Sequence, residues 1–357
     1  MTATAATEVL DFTLDPEHEA HEPPEARGLR RDGVRLLVSS GDADPIDARF
    51  REIGDHLRAG DLLVVNTSAT VPAALDGCLP DGEPIVVHLS GALPGDVWLV
   101  EVRRPDAGAS APLWLERPLG VTLLGGGALH LLTRFAGSRR LWIATFDLPI
   151  GLDEYTAAHG RPIRYRHVPH PWPLSAYQTI FGRQPGSAEM PSASRPFTPE
   201  VVTDLVTRGV SVAPLVLHTG VSSLEGGERP YPERYRVPEA TAAAVNDARG
   251  HGGRVLAAGT TVVRALATVT DDHGVVHPGR GWTDVVVTPA APVASVDGLL
   301  TGWHEPESSH LQMLEAFTGR EALQRAYRVA FDLGYRWHEF GDSHLVLTGD
   351  RLGGTRP

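Results

Sequence analysis

From Thr198 to Leu347 the chain alternates between segments that read as helices and segments that read as strands. That alternation restricts it to helices packed on a mixed, partly parallel sheet, an α/β core. Thr198–Thr207 reads as a helix capped by Thr198, with Pro199 and Glu200 in its first turn. Residues 210–217 form an apolar strand, 239–249 a helix and 254–258 a second strand that runs into Gly259-Thr260-Thr261. A helix over 262–268, strands over 282–287 and 299–302, helices over 308–318 and 321–333, and a strand over 344–347 complete the series. Residues 33–42 and the Leu-Leu-Val-Val run of 61–65 supply further strands, with a short helix over 50–57 between them.

Between about Ala73 and Asp147 the texture changes to short β-type runs at 84–89, 97–102, 120–124, 129–134 and 141–146, separated by Gly, Pro and Asp. Regular spacing with turn residues between runs predicts a small all-β, barrel-like domain. The expected organisation is therefore 1–72 as the first part of the core, 73–147 as an inserted β-domain, and 148–357 as the remainder. Met1 to Arg27 reads as a loose arm with a short strand near Val9–Phe12, and 149–198 as a Pro-rich, irregular stretch with a helix at 152–159. A connection that long in a compact domain usually serves function.

Hydrophobic residues at 42% and charged residues at 21% place the chain among globular proteins. No apolar run is long enough to cross a bilayer, so no membrane partner is expected. The first residues do not resemble a secretion signal. The single cysteine, Cys78, excludes an internal disulfide, and the expected compartment is the cytoplasm. A formal net charge of −12 argues against a broad basic footprint, although Arg161, Arg164 and Arg166 cluster with His167 and His170 interleaved.

Three polar clusters fall at predicted strand ends, where open α/β sheets gather ligands. The first is His218 with Gly220, and the second is Gly259-Thr260-Thr261 with Arg264 one turn on. The third is Gly302-Trp303-His304 with Glu307 and Ser308, where Pro306 suits the first helical position. Main-chain N–H groups and hydroxyls at Thr260 and Thr261 suit a carboxylate or phosphate, while the same residues also fit an ordinary helix cap. No lysine follows in P-loop register, and no GxGxxG occurs. His304 and His310 are six apart with no carboxylate at metal spacing, so no metal is expected. There is no GxSxG elbow, which disfavours a serine hydrolase. Asp342 precedes the last strand and reads equally well as a turn aspartate.

In order along the chain, these clusters resemble the S-adenosylmethionine:tRNA ribosyltransferase-isomerase family of the queuosine pathway. The resemblance is carried by Gly60-Asp61-Leu62-Leu63-Val64 with Asn66, Tyr177-Gln178-Thr179, Pro185-Gly186 and Leu217-His218 with Gly220. It continues through Gly259-Thr260-Thr261 with Val263-Arg264, His304 with Pro306-Glu307-Ser308, Met313-Leu314, Ala316-Phe317, Tyr335-Arg336 and Gly341-Asp342. It implies that S-adenosylmethionine is a co-substrate whose ribosyl group is transferred and isomerised onto a 7-deazaguanine base of tRNA. Adenine and methionine leave, and the epoxyqueuosine skeleton remains. That chemistry needs a base beside the sulfonium, an acid for the departing adenine and a dry pocket. His304, Glu307, Asp342 and His218 are the candidate proton-transfer groups. Gly259, Thr260, Thr261, Arg264, Asn66, Gly220, Trp303 and Ser308 are the candidates for binding the co-substrate.

The sequence also departs from the family pattern. After Asn66 the family carries an arginine in Asn-Thr-Arg and another in Pro-Ala-Arg, whereas here the run is Thr67-Ser68-Ala69-Thr70 and Pro72-Ala73-Ala74. Met190-Pro191-Ser192-Ala193-Ser194-Arg195-Pro196-Phe197 replaces a loop that contains a histidine, and Tyr231 replaces a further histidine while Glu233 remains. These losses on an acidic chain weaken an electrostatic grip on the tRNA backbone. Two alternatives stay open on sequence alone: a paralogue that uses S-adenosylmethionine on a small molecule or cleaves it without tRNA, and an inactive binding protein.

Overall fold

The computed structural model describes residues 10, 12–106, 109–221, 231–306 and 308–348. A nine-stranded sheet runs in the spatial order Gly279–Thr283, Glu233–Val237, Ser211–Leu217, Leu62–Asn66, Val255–Ala258, Gly298–Thr301, Ser343–Leu347, Arg35–Ser40 and Ile46–Arg49. Its central four strands, from Ser211–Leu217 to Gly298–Thr301, are mutually parallel. The flanking pairs include antiparallel ones, so the sheet is mixed.

Period-2 alternation explains why helices cover both faces. In the central strand, Leu62 and Val64 pack into one hydrophobic cluster, and Leu63 and Val65 into another. The first cluster is completed by α3 (Glu239–Gly250), α4 (Thr260–Val269), α5 (Ser309–Thr318) and α6 (Arg320–Asp332). The second takes Phe50 and Ile53 from a 3-10 helix, and Phe197, Val201 and Leu205 around α2 (Pro199–Thr207). Thr198 caps α2 as expected, its hydroxyl accepting from the Val201 N–H at 3.3 Å.

The β-rich insertion is a separate seven-stranded antiparallel sheet, built from runs between Ala74 and Asp147. Leu141–Asp147 pairs with Val97–Asp106 as well as with Ala128–Arg134, and the inward residues form their own cluster around Trp142, Val100 and Leu129. The chain returns to the core through α1 (Leu152–His159).

Several expectations need correction. The strand expected at 282–287 lies at Gly279–Thr283, because Val285 and Val287 serve the core from a loop. The helix expected from Pro306 begins at Ser309, with Ser308 as its cap. The arm is not loose where it is described. Phe12 packs on Phe331 and Trp337, and residues 18–20 exchange backbone hydrogen bonds with Trp337. Val9 and Asp11 of the strand expected near Val9–Phe12 lie outside the described residues.

Candidate active site

Parallel alignment places the carboxyl ends of the four central strands along one edge, and the segments leaving them open a cavity of about 2500 Å³. His218, Gly220, Gly259, Thr260, Thr261, Arg264, Trp303, His304 and Ser308 all line it. Ser90 and Gly91 reach it from the β-domain, and Tyr165, His167, Glu189 and Met190 from the long connection. Sites for one small ligand are usually of roughly 300–1,000 Å³, so this space is larger than one small ligand requires.

His304 is fixed from three sides. Its Nε2 lies 2.8 Å from Thr301 Oγ1, its N–H donates to the Tyr327 hydroxyl at 3.3 Å, and its carbonyl accepts from Trp337 Nε1 at 3.2 Å. The His310 ring lies 4.5 Å away, centroid to centroid. Ser308 Oγ is 3.0 Å from His310 Nδ1 and accepts the His310 N–H at 3.3 Å, so one hydroxyl both caps α5 and orients an imidazole. Burial, reinforced by the neighbouring His310, holds His304 well below the ordinary histidine range. Burial and Arg264 lower His310 to about 4. Near neutrality both rings are therefore uncharged and carry a lone pair.

Helix α4 opens on Gly259, whose φ of 104° is a conformation that favours glycine. No side chain caps this helix start, and Gly259, Thr260 and Thr261 line the cavity. Arg264, by contrast, is committed within the protein. It pairs with Glu233 and donates to the carbonyls of Val285 at 3.1 Å and Thr283 at 3.2 Å. Glu233 in turn accepts the Gly220 N–H at 2.8 Å. Arg264, a sequence candidate for binding the co-substrate, thus lines the cavity while held by Glu233 and two carbonyls.

His218 places Nδ1 2.8 Å from Ser68 Oγ, which is 2.6 Å from Ser187 Oγ, while Arg234 donates to Nε2 at 3.2 Å. Burial, followed by the charge of Arg234, lowers His218 to about 4. Asn66 is fully buried behind the cavity. Its oxygen accepts from the Ser68 and Leu217 N–H groups, and its amide donates to the Leu217 carbonyl and to Thr261 Oγ1. Trp303 is buried, and its ring lies flat on that of His344 at 4.7 Å with planes 4° apart.

Asp342 is not among the residues lining this cavity. One of its oxygens accepts the Arg35 N–H at 2.7 Å and the other the Arg336 N–H at 2.8 Å, so it staples two backbone segments. Burial raises its pKa against those hydrogen bonds. Glu307 lies outside the described residues.

One acid–base cluster on the lining was not singled out from sequence. His167 Nε2 is 2.7 Å from Glu339, its ring stacks on His338 at 3.8 Å, and His338 Nε2 is 3.3 Å from Glu19. Burial opposes the charge on His167, but the hydrogen bond and charge of Glu339 outweigh it and raise its pKa. Burial, with the charge of His167, lowers His338. Nearby, Tyr165 donates to Glu189. The available signal was the His338-Glu339 pair directly before Phe340-Gly341-Asp342.

Residues 7–346 match the family described as "Queuosine biosynthesis protein". The chain is 35% identical to the S-adenosylmethionine:tRNA ribosyltransferase-isomerase of Moorella thermoacetica, over 95% of this chain and 99% of that protein. It is 34% identical to the protein of the same name from Geobacter sulfurreducens, over 95% and 98%. Among solved structures it is similar to the S-adenosylmethionine tRNA ribosyltransferase of Thermotoga maritima, with a TM-score of 0.53 and 28% identity over 95% and 100% of the two chains.

Proposed function

Because the chain belongs to the queuosine biosynthesis family of S-adenosylmethionine:tRNA ribosyltransferase-isomerases, we propose that the cavity transfers and isomerises the ribosyl group of S-adenosylmethionine onto a 7-deazaguanine base of tRNA. Adenine and methionine are the products released. The observation that carries the assignment of the site is that His304, His310 and the open start of α4 line one cavity together with Glu189, Glu305 and Glu339. Carboxylates on the lining suit a sulfonium and a primary amine, both cationic. The amides at Thr260 and Thr261 suit the methionine carboxylate.

The co-substrate brings an acidified C–H beside its sulfonium and an adenine that leaves more easily when protonated. His304, neutral and anchored by Thr301, is placed to take a proton, with His310 beside it to share or return that proton. His218 serves as a positioning group, since both its nitrogens are engaged by Ser68 and Arg234. Asn66 and Arg264 hold the walls rather than the ligand, and Asp342 acts through the backbone. Trp303 serves as the floor, a reading supported by its low exposure. The insertion, taken as 73–147, closes the cavity as a barrel-like domain, a reading supported by the second pairing of Leu141–Asp147. The working compartment is the cytoplasm, where tRNA is modified. No helix among the described residues is long and apolar enough to cross a membrane.

Incubation with S-adenosylmethionine, with and without tRNA bearing an aminomethyl-deazaguanine, tests the function. Adenine and methionine release that requires the tRNA is the expected result. Release without it would replace tRNA by water or a small acceptor, and binding without release would make the chain an inactive relative.

A further inference from the structure

The strands Glu233–Val237 and Gly279–Thr283 form an antiparallel ribbon at one edge of the nine-stranded sheet. Their register sets Arg234 opposite Trp282 and Arg236 opposite Arg280. Directly opposed residues share a face, so these four side chains stand together, and all four are exposed. The Trp282 side of the ribbon lies at the cavity, because Arg234 and Trp282 both line it. Arg236 donates to Gln184 at 3.2 Å, and Arg183, next to Gln184 in the chain, is exposed.

Several arginines elsewhere on this acidic chain are matched with carboxylates, as at Arg35–Asp47, Arg161–Asp76 and Arg254–Asp61, while others, such as Arg166 and Arg328, are exposed singly. Among the described residues, Arg183, Arg234, Arg236 and Arg280 have no carboxylate at ion-pair distance. Two like charges directly opposed on a strand pair lower stability. Such an arrangement is accounted for by an anion that comes from outside.

We propose that this ribbon is the docking surface for the RNA strand that delivers the acceptor base, with Arg183, Arg234, Arg236 and Arg280 on phosphates and Trp282 stacking a base beside the cavity mouth. The inference rests on the tRNA reading above. Arginines that track a backbone, with an exposed aromatic among them, are what single-stranded RNA recognition requires. The ribbon compensates for the arginines missing near Ser68 and Ala74.

The test is binding of full-length protein to the deazaguanine-bearing tRNA across a salt series, with melting temperature measured for every variant. Arg280→Glu turns the opposed pair into a cross-strand ion pair, so its melting temperature is expected to hold or rise. Its tRNA affinity is expected to fall about 10-fold at roughly 0.1 M salt, with the log–log salt slope flatter by about 1. Trp282→Ala is expected to lose about 10-fold with an unchanged slope. Arg51→Glu, an equal charge change at an exposed position of the 3-10 helix that follows Ile46–Arg49 at the opposite edge of the sheet, serves as the control. Wild-type binding that Arg280→Glu leaves as strong as Arg51→Glu does would overturn the ribbon and leave the function standing. Equal losses in those two variants would also overturn it, as diffuse charge. A wild-type protein that binds no tRNA at any salt would remove the tRNA reading and the ribbon with it.

Discussion

Arg264 and Glu233 form a half-closed clasp: the guanidinium of the first meets one carboxylate oxygen of the second, and the other oxygen holds the Gly220 N–H at 2.8 Å. The clasp joins α4 to the edge ribbon and to the segment after His218, three elements that meet at the cavity. Side-chain exposures of 10% and 15% leave little water to replace either partner. Glu233→Gln is expected to destabilise the protein by about 3 kcal/mol, as removal of one partner of a buried pair does. Urea denaturation of the two proteins measures it. A loss of activity without any loss of stability would mean that Glu233 faces substrate instead.

Asp342 offers the opposite contrast, a residue that sequence places among catalytic candidates and geometry places in a backbone staple. Asn at this position keeps one acceptor and turns a donor toward an N–H. Asp342→Asn is expected to cost about 1–3 kcal/mol, while turnover per folded molecule changes little. Active-site titration combined with a melting curve separates the two quantities. A collapse of turnover at unchanged stability would return Asp342 to the chemistry.

The two-sided core was legible because strand residues such as Leu62–Val65 are apolar without interruption and α2 announces its own cap. The strand-end clusters were legible for a topological reason: parallel strands bring His218, Gly259 and His304 to one edge however far apart they are in sequence. Side-chain commitments were not legible. Whether Arg264 meets a ligand or Glu233 depends on a partner 31 residues away, and no local pattern carries that information. The Glu233–Val237 strand escaped notice because an edge ribbon with Arg234 and Arg236 outward has only Val237 fully buried. The His167–Glu339 pair escaped for the same reason as Arg264, being 172 residues apart.

The buried histidines predict an acid-sensitive fold. In the unfolded chain they bind protons as pH falls through about 6.5. In the native state His218 and His310 resist until about 4 and His344 until about 3. The unfolded state therefore binds more protons throughout that window, and stability declines as pH drops from about 6.5 toward 4. His167 acts in the opposite sense, its raised pKa lending stability at low pH that is lost as pH rises, but it is one group against several. Melting temperatures taken between neutrality and mild acid should show the decline. His344→Phe, which retains a ring on Trp303, should shallow it, and an unchanged slope would assign the acid sensitivity to carboxylates.

Gly259 sits at φ 104° and ψ 154°, a region that residues with a Cβ rarely enter. Gly259→Ala is expected to cost about 1–3 kcal/mol from backbone strain alone, since the added carbon would meet Ala193 Cβ at an ordinary 3.4 Å. If the start of α4 holds the methionine carboxylate, relaxation of that strain tilts the amides and weakens S-adenosylmethionine more than adenosine. Calorimetric titration with both ligands distinguishes this from a purely structural effect, in which the two affinities would fall together.

His304 carries the most demanding prediction. Its backbone is pinned by Tyr327 and Trp337, so the main chain should survive loss of the ring. General acid–base groups contribute roughly 10²–10⁴-fold to rate, and His304→Ala is expected to lower turnover by about that factor. The melting temperature should move by only a few degrees. His304→Gln keeps a hydrogen-bond partner for Thr301 but no titrating nitrogen, so it should restore stability without restoring rate. Single-turnover adenine release, measured beside thermal unfolding, reads both. Recovery of rate in His304→Gln would show that the imidazole positions the wall and that the proton travels through His310.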